Sequence, residues 1–313
     1  LIAPVRMWGI TLFRPVGRPE EIALDIENTD LSAKDWFFPP SEALFTVDQR
    51  EDHPHITPAT ENREAVLFGL RPCDALAISH FDMPFLAEPA DNLYRERREK
   101  TVLVGVACAR ARPECFCTSA GTAPNDSSLL DIMLTEAGDG YALEVVTEKG
   151  RKALGDTPLE SLGFELTSPP QPDPVPLAGI KDIARHVFDA PYWDRLADRC
   201  IHCNLCAYIC PDCYCFDIRD YSAKGKTERV RCWESCQSAG FTRLAGGHDP
   251  RSSKGARLRQ RFYHKFLYFP ENFGPPACTG CGRCVRACPV NIDIREVAAE
   301  MQKAAKQVAL EMG

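Results

Sequence analysis

Sixteen cysteines run through this chain, and eight of them repeat one spacing twice. Cys200, Cys203, Cys206 and Cys210 are followed by Pro211, and Cys278, Cys281, Cys284 and Cys288 by Pro289, each run reading C-x2-C-x2-C-x3-C-P. This is the ligand pattern of two-cluster ferredoxins, in which three thiolates of a run hold one 4Fe-4S cluster and the fourth crosses to the other. The duplication predicts a first cluster on Cys200, Cys203, Cys206 and Cys288 and a second on Cys278, Cys281, Cys284 and Cys210. Thiolates spaced two residues apart on a tight loop can face one centre, whereas Cys210 and Cys288 lie a helical turn beyond Cys206 and Cys284 and point elsewhere. Pro211 and Pro289 keep that turn from running on. Gly280 and Gly282 are expected to let the second loop close over inorganic sulfur. Structural zinc competes, but a zinc tetrahedron commonly uses two separated C-x2-C pairs and requires neither a third regular cysteine nor a C-P ending. The chemistry predicted is one-electron transfer, with no catalytic side chain in the chain itself.

The other eight cysteines form two quartets. Cys73 and Cys108 each follow a predicted strand, and Cys115 and Cys117 share a loop with Cys108. In an open α/β sheet, sites form outside the carboxyl ends of strands, so Cys73, Cys108, Cys115 and Cys117 can converge on one crevice and hold a third 4Fe-4S cluster. A helix N-terminus at Cys73 is expected to favour its thiolate. Buried thiols that pack as small hydrophobes are the alternative. Cys213, Cys215, Cys232 and Cys236 lie between the two ferredoxin runs, and Cys232 and Cys236 would share a face if helical. They would make a fourth cluster site, against thiols that merely line a neighbouring one. His202, His248 and His264 read as local hydrogen-bonding groups.

The elements that must position these residues fall into two stretches. Residues 1–166 read as a mixed α/β domain. Ala65 to Leu70 and Thr101 to Ala107 are strand-like, a helix opens at Pro72, and Asp131 to Thr147 is a hairpin turning at Gly138-Asp139-Gly140. Residues 167–178 are a proline-rich, extended linker. Residues 179–313 read as a mainly helical, ferredoxin-like dicluster domain with a long insert over 212–277. A helical segment from Ile180 to about Asp198 delivers the chain to Cys200, residues 254–268 form a basic helix, and Ile294 to Met312 form an amphipathic tail helix with Val297, Met301, Ala304, Ala305, Val308 and Leu310 on its apolar side.

Length and composition narrow the function classes. A chain of 313 residues has ample material for a core and about two domains. Cysteine spacing of cluster type argues for a reducing, cytoplasmic and anaerobic setting rather than a disulfide scaffold. Leu1 to Gly17 has no signal-peptide-like apolar core, and no apolar run approaches the roughly 18 residues of a membrane span. The net charge of −7 is uneven, since residues 219–268 hold twelve Lys and Arg against four Asp and Glu. No nucleic-acid-binding signature accompanies that stretch, so its charge is assigned to burying anionic clusters and to steering an acidic redox partner.

Taken together, Gly69-Leu70-Arg71-Pro72-Cys73-Asp74, Cys115-Phe116-Cys117, Cys210-Pro211-Asp212-Cys213-Tyr214-Cys215, Ser235-Cys236, His264-Lys265 and both ferredoxin runs resemble one known family. It comprises the iron-sulfur subunits of two kinds of enzyme, anaerobic sulfite reductase and cytoplasmic sulfhydrogenase, the latter contributing its beta subunit. The likeness extends from about residue 65 onward. The resemblance implies a subunit that carries electrons between a flavoprotein subunit handling NAD(P)H and a catalytic subunit that reduces sulfite or interconverts protons and hydrogen. Cys232 fits that pattern less well than Cys213, Cys215 and Cys236, which implies a non-cysteine fourth ligand in the insert. Heterodisulfide-reductase-type and formate-oxidising assemblies use related subunits, and the resemblance does not choose among them. An iron-sulfur enzyme that reduces a substrate at one of its own clusters is the competing function.

Overall fold

A computed structural model describes residues 1–50, 53–60, 63–160 and 169–312, with side chains described up to residue 307. Its strands are β1 (Ile2–Met7), β2 (Ile10–Pro15), β3 (Ser41–Asp48), β4 (His55–Pro58), β5 (Ala65–Leu70), β6 (Thr101–Val106), β7 (Ile132–Ala137), β8 (Gly140–Val145), β9 (Phe216–Ala223) and β10 (Lys226–Trp233). The first sheet runs β2-β1-β5-β6-β7-β8, parallel across its middle and closed at each side by an antiparallel hairpin. This is the mixed α/β arrangement the N-terminal patterning predicts. The β7–β8 hairpin turns where expected, with Ala137 opposite Gly140 and Gly138 in the left-handed region.

Between β5 and β6 the chain makes the turn that carries Cys73. Pro72 opens the helix Pro72–Phe85, and the Asp74 carboxylate accepts from the Arg71 amide at 3.3 Å, satisfying a free N–H at the helix start. Gly69 is needed one turn earlier. Its φ is +82°, and a Cβ there would sit 2.8 Å from Pro4 of β1.

The second sheet was not foreseen. Its order is β4-β3-β10-β9, antiparallel throughout, so strands from residues 41–58 pair with a hairpin supplied by the insert. The insert thus brings two strands into a domain read as mainly helical: Phe216 to Trp233 alternates side chains across an extended ribbon. Trp233 stacks on Phe38 with ring centroids 6.2 Å apart, and Trp233 and Tyr214 pack against the N-terminal core of Leu67, Leu70, Ile78, Phe81 and Phe85. The exchange is mutual, because Phe116 and Ala120 join the C-terminal core of Trp193, Leu196, Phe262, Tyr263, Val297 and Met301.

The remaining helical expectations hold with adjusted ends. The segment leading to Cys200 is two helices, Ile180–His186 and Tyr192–Arg199, interrupted just before Pro191. The basic segment is the helix Lys254–Tyr263, which continues into a π-helical turn over His264–Tyr268. Ile294–Met312 is helical, and Val297 and Met301 are buried as predicted, while Val308 and Leu310 lie beyond the described side chains. Within the proline-rich stretch, residues 167 and 168 lie outside the described residues. From 169 to 176 it has neither helix nor strand, and Val175 donates its amide to Ser119 Oγ at 2.8 Å.

Two buried polar contacts tie the insert to the N-terminal half. Arg231 of β10 bonds both Glu42 of β3 and Asp91, with Arg97 on the other oxygen of Glu42. His80 Nδ1 meets Asp212 Oδ1 at 2.6 Å, each side chain 2% exposed. Removing one partner of a buried ion pair strands the other, so Arg231→Met is expected to cost about 3–5 kcal/mol, read as a lower urea midpoint. Burial pushes the Asp212 carboxyl up, but the His80 hydrogen bond and the charges of His80, Lys265 and Lys34 outweigh it and hold the group below its ordinary value. Its stabilisation is therefore complete above the unfolded carboxyl pKa of about 4 and is lost as pH falls through the lower folded value. Asp212→Asn should flatten that acid limb in a series of urea midpoints against pH.

Candidate metal centres

The first ferredoxin run follows directly from the helix Tyr192–Arg199. His202 and Asn204 both take positive φ, 52° and 61°, which curls the loop so that its thiols face inward. Cys200, Cys203, Cys206 and Cys288 line one cavity together with Cys284, and its empty volume is about 540 Å³ with its mouth included. The first four are those that the crosswise rule assigns to the first cluster, and Cys284 is one that it assigns to the second. Donors already point at their sulfurs: the His202 amide to Cys200 at 3.4 Å, Gln237 Nε2 to Cys206 at 3.3 Å and the Ile292 amide to Cys288 at 3.2 Å. Cys203 is the exposed member.

The second run sits deeper. Cys278 and Cys281 are buried, and burial first of all pushes the thiols of Cys278, Cys281 and Cys284 up. Cys210 is among the charges that act on Cys281 and Cys284, as the crosswise reading requires of it. Lys265 Nζ donates to Cys210 Sγ at 3.2 Å and to the Ala277 carbonyl at 2.6 Å. Gly280 and Gly282 also make room for a neighbouring segment of chain. A Cβ on Gly280 would fall 2.5 Å from the Phe116 backbone, and one on Gly282 would fall 2.8 Å from Glu114. The glycines admit the loop that carries Cys115 and Cys117, and the Phe116 amide bonds the Gly280 carbonyl at 2.8 Å.

That loop completes a third group. Cys73 and Cys108 stand past the carboxyl ends of β5 and β6, as predicted. Cys73 has Cys108 and Cys281 as charge neighbours, while Cys117 has Cys108 and Cys115. The helix N-terminus does not make Cys73 a ready thiolate. Burial, with Asp74 beside it, raises the thiol well above its ordinary value. Burial likewise pushes Cys108 up to about 11 and Cys117 up to about 12. Arg283 fills the space between this group and Cys281, its Nη1 2.8 Å from Asp74 Oδ1 and its Nε bonded to the Thr29 carbonyl at 2.8 Å.

In the insert, three of the four predicted thiols meet. Cys213 has Cys210 and Cys215 as neighbours, and Cys215 has Cys236. Hydrogen bonding from Cys210 and from Cys236, against the cost of burial, lowers Cys213 and Cys215 to about 6 each, with Arg261 helping both. Cys232 is placed elsewhere. Residues 226–233 form a strand rather than a helix, and side chains alternate across it, so with Trp233 turned to the core Cys232 faces the other way. Its Sγ meets Ser41 Oγ at 3.8 Å on the exposed side of the sheet.

Sequence reasoning missed Lys34. It lies in the short helix Lys34–Phe37, is buried, donates to the carbonyls of Cys213 at 3.0 Å and Ala207 at 3.3 Å, and sits 4.2 Å from the Trp233 ring centroid. A lone lysine 179 residues from its partner carries no signal that spacing could reveal. The His80–Asp212 pair was missed for the same reason. His264 is a local group, as read: its Nε2 lies 3.4 Å from the Tyr214 hydroxyl, and burial foremost lowers its pKa to about 4.

Among the described residues no group of three or more His, Cys, Asp or Glu is gathered closely enough to hold a single metal ion. The sulfur-directed amides, the cavity walled by five cysteines and the cations at Cys210 and Cys213 suit an anionic iron-sulfur cluster.

Comparison with known proteins agrees with this geometry. Residues 199–292 match the 4Fe-4S dicluster domain family, a span that contains both ferredoxin runs. The sulfhydrogenase 2 subunit beta of Pyrococcus furiosus is 31% identical over 318 aligned positions, which take in 96% of this chain and 91% of the relative. No solved structure matches. With a dicluster-domain match over both ferredoxin runs and likeness along almost its whole length, this chain belongs to the sulfhydrogenase beta-subunit family of 4Fe-4S iron-sulfur proteins.

Proposed function

We propose that this chain is the electron-relay subunit of a multisubunit oxidoreductase, passing single electrons between a catalytic partner and a flavin-bearing partner that handles NAD(P)H. The observation that carries the reading is continuity between the thiol groups. Cys284 lines the same cavity as Cys200, Cys203, Cys206 and Cys288, Cys115 Sγ lies 4.0 Å from the Cys281 carbonyl, and Cys210 is hydrogen-bonded with Cys213, so each group stands beside the second ferredoxin group. Cys203 opens one end of this series to solvent. In this reading Cys200, Cys203, Cys206 and Cys288 hold one 4Fe-4S cluster, and Cys278, Cys281, Cys284 and Cys210 the next. Cys73, Cys108, Cys115 and Cys117 hold a third. Cys213, Cys215 and Cys236 form a fourth site that draws its remaining ligand from something other than Cys232.

The clusters supply reversible one-electron chemistry when bound, and the protein's part is to bury them, to hydrogen-bond their sulfurs and to balance their charge. The relative's name makes it one subunit of a sulfhydrogenase, which supports hydrogen or a sulfur compound as the terminal substrate handled by a partner. A flavin in the partner on the other side would divide a hydride's electron pair into single steps. Among the described residues no helix is long and apolar enough to cross a membrane.

Iron analysis and low-temperature EPR of the dithionite-reduced protein test this assignment. Cys203→Ala is expected to remove one reduced-cluster signal with its share of iron, and Cys73→Ala a second, while Cys232→Ala should leave every signal in place. A Cys203→Ala spectrum identical to that of the parent protein would sink the relay.

A further inference from the structure

Three cations converge where Cys210 meets Cys213, and none of them ends on a carboxylate among the described residues. Lys34 ends on two carbonyls and the Trp233 ring, Arg261 donates Nη1 to Cys213 Sγ at 3.2 Å, and Lys265 donates to Cys210 Sγ and a carbonyl. All three are buried, and Nη2 of Arg261 has no hydrogen-bond partner. The acid beside them, Asp212, is already engaged by His80. A charge taken out of water must be paired or it costs several kcal/mol. Among the described residues, the anions left to these cations are the thiolates themselves and whatever they ligate.

The other groups are served differently. Arg283, between Cys281 and Cys73, has its charge matched by Asp74, and the sulfurs of the first ferredoxin group take hydrogen bonds from backbone amides and Gln237, with Arg261 alone among the three cations also lining their cavity. Lys34 and Lys265 thus place the unbalanced positive charge at Cys210 and Cys213, and Arg261 bridges that point and the first cavity. A single helix delivers two of the three cations: Arg261 from its last α-turn and Lys265 from the π-helical turn that follows. π-Turns of this kind recur at functional sites because they re-aim side chains.

We infer that Lys265, assisted by Arg261, sets the redox potential of the site that Cys210 serves and makes it the point where an electron comes to rest. Reduction adds one negative charge, and a buried cation in contact with a ligand sulfur favours the reduced form through a medium that screens poorly. Asp212 opposes this, while Lys34 and Arg261 act in the same direction as Lys265. The inference rests on the relay reading, since Cys210 must hold iron for the charge to act on it.

The test is an EPR-monitored redox titration of the full-length, anaerobically purified protein, with iron content measured on each sample. Lys265→Met is expected to retain the parent's iron and to move one midpoint to more negative potential by at least tenfold in the one-electron equilibrium, about 59 mV. Lys265→Arg, which keeps the charge, should stay near the parent. Arg229→Gln, which removes a cation from the exposed β9–β10 hairpin, should shift nothing. If Lys265→Met does not fold, Arg261→Met decides, with a shift of the same sign expected. Full iron with unmoved midpoints overturns the inference, and so does loss of iron from both Lys265→Met and Lys265→Arg, because the role is then packing rather than charge. A parent protein whose spectrum is unchanged by Cys210→Ala refutes the relay reading itself, an outcome separate from any shift.

Discussion

Negative charge has to be held inside this protein, and nearly every unusual contact answers that requirement. Burial drives most of the thiols toward their neutral form, yet the same pockets receive buried lysine and arginine side chains, sulfur-directed amides and a glutamine. Neither set is comfortable alone. A buried cation without an anion is as costly as a buried thiolate without a cation, so the two are arranged to cancel once the thiolates are occupied. Iron-sulfur ligation supplies the anionic partner.

The two halves of the chain are consequently inseparable in space. The N-terminal half provides Lys34 beneath Cys213, Asn28 on the Cys281 carbonyl at 2.9 Å, and Thr29 and Asp74 around Arg283. The C-terminal half returns the β9–β10 hairpin to the second sheet and Trp233 and Tyr214 to the N-terminal core. Loops that hold clusters have little regular structure of their own. Their rigidity comes from being pressed between two cores, most tightly where Gly280 and Gly282 receive the loop from Glu114 to Cys117. A scaffold of this kind suits electron transfer, because a relay asks for fixed positions and little reorganisation rather than for a moving lid.

Much of the chemistry was legible from spacing alone. The C-x2-C-x2-C-x3-C-P runs specify loop geometry within a dozen residues, so their crosswise grouping could be stated before any coordinates. Pro72 after a strand and the Gly138-Asp139-Gly140 turn are equally local, and the elements they define stand where the residues placed them. The placement of Cys73 and Cys108 past the ends of neighbouring strands was equally legible, since strand ends in a parallel sheet lie side by side.

What spacing could not reach were contacts between residues far apart in the chain. Cys232 looked like a partner of Cys236 because four residues separate them, but pairing with Ser41 and Asp217 made its segment a strand and turned its side chain away. Lys34 and Asp212 are ordinary residues until the fold brings each against a partner more than a hundred positions distant. The sequence by itself therefore determined the two ferredoxin runs and the 4Fe-4S dicluster character they give the chain, because thiolate spacing on a loop is a short-range property. The tertiary structure alone decided which thiol stays outside and which cations stand beside the thiols, because burial and charge balance depend on what the folded chain packs together.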